Sequence, residues 1–388
     1  MSTYILYGSY ASYYTAKVRA CLRKKGIPFE ERLPSAPRFR EHVRPASGTH
    51  RIPQLETPSG DVLQDSVAIF DYLEERHPGI PAFPTTPRQR LAVHLMELFG
   101  SEGLVRLAWQ HRWLFEENDH FVKMDFGRSF SPQGDDATLM HYGNVIAERM
   151  LSRGNLDRSP ARRAELDGEY VALLACLEAH FQHHPYMLGG HPSAADYALM
   201  GALHAHMGRD PAGLAVMQNH GPRVFRWMEH MLVPDVVAPE FFDTPVTYPA
   251  DDALPPTFEA LLSHLATQYA DGFTLNALAW AEHAQRRQNE PAGELLAGAG
   301  EQPQLDAVTI RPQGGEPLTV ACNLYHAWVT QRAQRCYHGL SETDRDATAS
   351  LTRMPGVAAL LSAAPARWIE RTASNSLVLG AAVELDRA

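Results

Sequence analysis

The chain has 388 residues, 45% of them hydrophobic, and a formal net charge of −10 at pH 7. That length predicts about two or three folded units with ample apolar content for their cores, which excludes disorder over most of the chain. The acidic balance argues against a phosphate-backbone ligand, so no nucleic-acid partner is expected. No segment approaches the roughly eighteen apolar residues of a membrane helix, and no basic stretch leads into an apolar run at the start. The four cysteines, Cys21, Cys176, Cys322 and Cys336, have neither CxxC nor metal-ligand spacing. A reduced, cytoplasmic protein without a membrane partner is expected.

Tyr4–Tyr7 reads as a strand, followed by a small-residue turn and a helix over residues 15–25 with Val18, Cys21 and Leu22 on one face. Gly26 and then Pro28 stop that helix in the expected order. Residues 29–33 resume as a strand parallel to the first, giving a βαβ unit. In Arg51-Ile52-Pro53-Gln54-Leu55 a proline falls inside a strand pattern, where a bulge, an edge or a cis bond is expected. Residues 52–56 and 61–64 form a hairpin around Pro58-Ser59-Gly60, and Asp65 caps a helix through Glu75 with Val67, Phe70 and Leu73 turned inward. Both helix starts carry hydroxyls or a carboxylate, and the unpaired N–H groups there favour an anion.

Prolines at 78, 81, 84 and 87 punctuate a linker into a helical region, where Leu91, Leu95 and Leu98 recur at helical spacing, as do Val224, Met228, Met231 and Leu232 later. Ser193-Ala194-Ala195-Asp196 has the form of a capping box. A second linker, rich in proline and acid, covers residues 244–256. Beyond it, helical patterns over 258–287 and 323–339 flank an expected β-hairpin built from 308–311, Gly314-Gly315 and 318–322.

The segment Leu6-Tyr7-Gly8-Ser9 through Val18-Arg19, the Ile52-Pro53 step, the Asp65-Ser66 pair and Tyr72-Leu73 resemble the thioredoxin-like domain of the glutathione transferases, in the subset that uses serine. Pro192-Ser193-Ala194-Ala195-Asp196-Tyr197 and Pro222-Arg223-Val224-Phe225-Arg226-Trp227 resemble that family's second, helical domain. The resemblance covers roughly residues 1–245, and the stretch from about 250 exceeds the usual family length. It implies a thioredoxin-like α/β domain at 1–82, an all-α domain at 88–245 and a mostly helical extension at 250–388. It also implies glutathione as co-substrate, no metal, a small electrophilic and apolar substrate, and a homodimer.

Ser12, at the turn into the first helix, stands where the family's thiol-activating serine lies; Ser9 is an alternative, and Tyr7 is the rival because tyrosine-using members place their hydroxyl near the end of the first strand. A free thiol titrates near pH 8.5, and lowering that by ~2 units takes about 2.7 kcal/mol of preference for the anion, within reach of a hydroxyl donor plus a helix start. Pro53 resembles the family's cis-proline, with Ile52 supplying main-chain bonds to the ligand's cysteinyl unit. Asp65 and Ser66 would take the γ-glutamyl ammonium and carboxylate, Arg51 the glycyl carboxylate, and Tyr14 would shape the pocket floor. Arg38, Arg40 and His42, in a loop, are other cations for the glycyl end, while Trp109, His111 and Trp113 are candidates on the electrophile side.

His180 and His184 have chelating spacing, but Pro185 follows directly, so a frayed, solvated helix end is expected rather than a metal site. There is no HExxH, no GxGxxG after a strand and no GxxxxGK[ST]. Two other readings stand beside the transferase. One is a non-catalytic glutathione-binding or scaffold protein; the other is a dedicated glutathione-dependent isomerase, ether-cleaving enzyme or dehalogenase. The extension, with Phe258, Leu261, Leu262, Leu265, Trp280 and Trp328, needs a surface to bury against, and its hairpin is a candidate cover for the electrophile pocket.

Overall fold

The computed structural model describes residues 3–79, 81–152, 159–310 and 318–383. In chain order the first elements are β1 (Tyr4–Tyr7), α1 (Tyr13–Lys24), β2 (Phe29–Arg32), α2 (Arg44–Ser47), β3 (Gln54–Glu56), β4 (Val62–Gln64) and α3 (Ser66–Arg76). Then come α4 (Pro87–Met96), α5 (Leu104–Leu114), α6 (Asp119–Phe130), α7 (Asp136–Leu151), α8 (Pro160–Phe181), α9 (Ala194–Met200), α10 (Pro211–His220) and α11 (Pro222–Met231). The chain continues through α12 (Pro256–Arg286), β5 (Leu295–Ala297), β6 (Gln304–Ile310), β7 (Leu318–Asn323) and α13 (Leu324–His338). It closes with α14 (Glu342–Ala347), α15 (Ala349–Thr352), α16 (Val357–Ser362), β8 (Arg367–Arg371) and β9 (Leu377–Ala382).

Two compact units divide these elements. The first comprises Met1–Ala46, Arg51–Ala82 and Leu104–Tyr248. Its sheet has the order β2-β1-β3-β4, with β1 parallel to β2 and antiparallel to β3, and β3 antiparallel to β4. The parallel pair requires a crossover, which α1 supplies. That helix starts two residues earlier than its apolar pattern suggests, at Tyr13, because Ser12 caps it. It ends as expected: Gly26 takes φ +63°, Gly26 N donates to Arg23 O and Ile27 N to Leu22 O, a Schellman closure that an L side chain resists. Val18, Cys21 and Leu22 are buried where α1 packs on α3 and α9.

This thioredoxin-like α/β half is followed by a helical half. There α8 packs on α5, α10 and α11, burying Tyr170, Leu173, Leu174 and Leu177. The Ser193–Asp196 capping motif is in place: Ser193 N and Oγ both donate to Asp196 Oδ2 at 2.9 Å, and Met187 N donates to Asp196 Oδ1. His180 corrects the expectation of a solvated helix end. It is fully buried with Nε2 3.0 Å from Tyr186 O, because the chain after α8 turns back over it. No helix of the described residues is long and apolar enough to cross a membrane.

The second unit comprises Ser47–His50, Phe83–Gly103 and Pro249–Ala388. Its axis is α12, whose Phe258, Leu261, Leu262, Leu265 and Trp280 are buried against α4, α13, α16 and β6. The apolar residues of the extension thus bury against α4 as well as against one another, and Trp280 Nε1 donates to Arg367 O at 3.1 Å. The expected hairpin exists as antiparallel β6 and β7, with Val308 opposite Val320; β6 begins earlier than the alternation suggested, at Gln304. Arg311, Gly314 and Gly315 lie outside the described residues. A second sheet, β5-β9-β8, was not anticipated.

Candidate functional site

Gln54 is the residue on which the site is organised. It pairs with Tyr7 on one side and with Gln64 on the other. The chain therefore leaves β1, enters β3 and leaves β4 at the same end of the sheet. Gly8, Pro53 and Asp65 are the first residues beyond that row, so the α1 turn, the proline step and the α3 start converge although the first is about fifty residues from the other two.

Ser12 is the N-cap of α1. Its Oγ accepts the Thr15 amide at 3.3 Å and the Thr15 hydroxyl at 2.8 Å. Two donors aimed at one oxygen leave the Ser12 proton free to be given away, and hydroxyl chains of this kind polarise one another. Gly8 makes the arrangement possible, since a Cβ there would stand 2.1 Å from Thr15 Cγ2. Ser9 is buried, and its carbonyl accepts from Ser12 N and from Arg19 Nη2.

Tyr7 is committed elsewhere. Its ring is fully buried against Phe39 and Val43, and its hydroxyl donates to Glu56 Oε2 at 3.0 Å. Burial, then that hydrogen bond to Glu56, raises its pKa above the ordinary tyrosine value, which disfavours a phenolate. Glu56 is forked by Arg38, whose hydrogen bond holds the carboxyl below the usual range. Arg38, Arg40 and His42 do not form a loop: Phe39–Val43 is a π-helical turn, and Arg38 reaches the Tyr7–Glu56 pair. Tyr14 is half-buried, edge-on to Tyr13 at 5.2 Å, with Lys17 Nζ 5.7 Å from its ring centre.

The Ile52–Pro53 peptide bond is cis. Gln54 Nε2 donates to Arg51 O at 2.8 Å, tying down the exposed Arg51 segment, and half-buried Ile52 packs on the Tyr7 cluster. Asp65 adopts φ +82°, a conformation that L residues rarely take, and its Oδ1 accepts from Val67 N at 2.9 Å as the cap of α3. Ser66 is 1% exposed, and its Oγ has no hydrogen-bond partner among the described residues. A buried orphan hydroxyl beside the free N–H groups of a helix start is a place for an acceptor.

The residues offered for an electrophile sit in the helical half's packing. Trp113 stacks on Phe126 at 5.9 Å with Trp109 beside it, and buried His111 stacks on Phe115 at 4.2 Å. Among the described residues, no group of three His, Cys, Asp or Glu side chains is placed to hold a metal ion. Cys21 is fully buried, and burial pushes its thiol up to about 12. Sequence reasoning missed Thr15 and the Glu56–Arg38 pair; the hydroxyl three residues after Ser12 was the available signal for the first.

Residues 6–81 match the family model of the glutathione S-transferase N-terminal domain, and residues 160–230 that of the C-terminal domain. A probable maleylacetoacetate isomerase from Caenorhabditis elegans is 24% identical over 209 residues, 47% of this chain and 94% of that protein. Similar solved structures include a glutathione transferase family member from Pseudomonas fluorescens with two glutathione bound, at 18% identity and a TM-score of 0.35, covering 63% of this chain and 94% of that one. Another is a glutathione S-transferase of Ceriporiopsis subvermispora in complex with glutathione, at 18% identity and a TM-score of 0.42, covering 61% of this chain and 99% of that one.

Proposed function

The chain belongs to the glutathione transferase family, carrying both of its domains, and from that premise we propose that it binds glutathione at the Tyr7–Gln54–Gln64 end of its first sheet and activates the thiol with Ser12. The observation that carries this reading is the two-fold donation of Thr15 to Ser12 Oγ, which leaves the Ser12 proton for a thiolate. On binding, the thiol proton passes to solvent, and the sulfur anion is held by the Ser12 O–H and the start of α1. The sulfur electron pair then forms a C–S bond to a small apolar electrophile, expelling a halide, opening an epoxide C–O bond to an alkoxide that water protonates, or adding to an unsaturated carbonyl whose enolate takes a proton from water. Ile52 supplies main-chain bonds ahead of Pro53, Asp65 takes the ligand's ammonium, Ser66 its α-carboxylate, Arg51 the glycyl carboxylate, and Tyr14 shapes the pocket floor. The functional form in this reading is a homodimer.

The likeness to a probable isomerase favours a second reading, in which the same thiolate adds to an unsaturated acid and leaves again. Turnover of purified protein on halogenated, epoxide and unsaturated-carbonyl substrates tests both. Conjugates accumulate under the first, and isomerised product without conjugate under the second. No turnover on any of them would point to a non-catalytic binder.

A further inference from the structure

The carbonyl immediately before Ser12 is held from the helical half of the same unit. Arg112, on α5, is 3% exposed, and its Nη1 donates to Ala11 O at 2.9 Å across 101 residues of chain. The other two nitrogens of its guanidinium are engaged as well. Nε and Nη2 fork onto Asp210 Oδ2 and Oδ1 at 2.7 and 3.0 Å, and Nη2 also donates to Ala205 O. Ala205 lies in the π-helical turn Gly201–Met207, and Asp210 is the N-cap of α10. Asp210 gives its carboxylate to Arg112 rather than to its own helix.

A planar fork with this many fixed partners has one orientation, so the Ala11 carbonyl has one too. The opposite side of the turn is fixed in the same way: Arg19 Nη2 donates to Ser9 O at 3.1 Å while its guanidinium pairs with Glu31. The Tyr13 ring, just after Ser12, is also set from the helical half, because a Cβ at Gly201 would lie 2.4 Å from Tyr13 Cε1. Ala11 falls within the N-terminal family match and Asp210 within the C-terminal one, but Arg112 lies in the stretch that neither covers.

We propose that Arg112, oriented by Asp210, is a positioning residue for thiol activation, fixing through the Ala11 carbonyl the turn that presents the Ser12 hydroxyl. The proposal rests on the reading of Ser12 given above. Arg112 touches no part of the ligand in that reading. Its loss should alter the state of the bound sulfur and leave the ammonium and carboxylate contacts at Asp65 and Ser66 intact.

The test is the ultraviolet absorbance of the thiolate of bound glutathione as a function of pH, with affinity measured in parallel by calorimetry. Arg112→Lys keeps a cation opposite Asp210 but cannot hold both it and Ala11. The double variant R112M/D210L removes both charges, so that no unpaired ion stays buried. In both variants the thiol midpoint should rise by ~1 unit with affinity measured at low pH, where the thiol is protonated, changed less than about twofold. An unchanged midpoint in either folded variant would overturn the positioning role. If the unaltered protein binds glutathione without lowering its thiol midpoint, the Ser12 reading itself fails, and that is seen before any variant is made.

Discussion

Thr15 donates to Ser12 twice, through its amide at 3.3 Å and its hydroxyl at 2.8 Å, and only the second bond depends on the side chain. The amide bond is an ordinary helix cap. The hydroxyl bond is an addition that raises the donor strength of Ser12. Thr15→Val keeps the buried volume and removes that bond. It should cost about 1 kcal/mol of stability and raise the midpoint of a bound thiol by ~0.5 unit. Titration of the variant beside the unaltered protein checks this, and a midpoint that does not move would reduce Thr15 to a capping partner.

Asp65 caps α3 through Val67 N and, in the proposed reading, also takes the ligand's ammonium. Asp65→Ala removes both. Glutathione affinity should fall by about 1.5–3 kcal/mol, the range for charge-assisted bonds, and stability by about 1 kcal/mol for the cap. Asp65→Asn separates the two, because an amide still caps a helix but carries no charge. Calorimetry should find Asn nearly as damaging to affinity as Ala, with most of the stability restored.

Three buried histidines make the first unit acid-sensitive. Burial pushes His180 and His204 down to about 3 and His191 down to about 4. Each ring stays neutral in the fold but takes up a proton on unfolding below its ordinary value near 6.5. The stability that these groups allow is thus present above pH 6.5 and is lost as pH falls toward the folded values. Between pH 7.5 and 5.5 the three together should cost roughly 4 kcal/mol. Urea denaturation at the two pH values measures it; equal stabilities would mean that the rings are not held neutral.

What could be read from the sequence was what local chemistry decides. The β1–α1–β2 unit, the Schellman stop at Gly26 and the cap at Asp65 each depend on a few neighbouring residues. The cis bond at Pro53 was one of three outcomes that a proline in a strand permits. The ties that fix the site's surroundings were not legible, because they join side chains remote in sequence. Tyr7 meets Glu56 49 residues away, Arg38 meets Glu56 across 18, and Arg112 meets Asp210 across 98. His180 was misjudged for a similar reason, since the carbonyl that buries it belongs to the chain after Pro185. The β8–β9 pair was missed although Asn375, at φ +65°, marks its turn: the alternation on either side covers only five or six residues, too few to separate strand from helix end.

The claim on which the rest depends is that Ser12, and not Tyr7, stabilises the anion of bound glutathione. The thiolate absorbance of the bound ligand, followed against pH in the unaltered protein, in Ser12→Ala and in Tyr7→Phe, tests it directly. The midpoint should lie ~2 units below that of the free thiol in the unaltered protein. It should return most of the way in Ser12→Ala and stay nearly in place in Tyr7→Phe, whose lost bond is to Glu56. A low midpoint that survives Ser12→Ala and disappears in Tyr7→Phe would contradict the account.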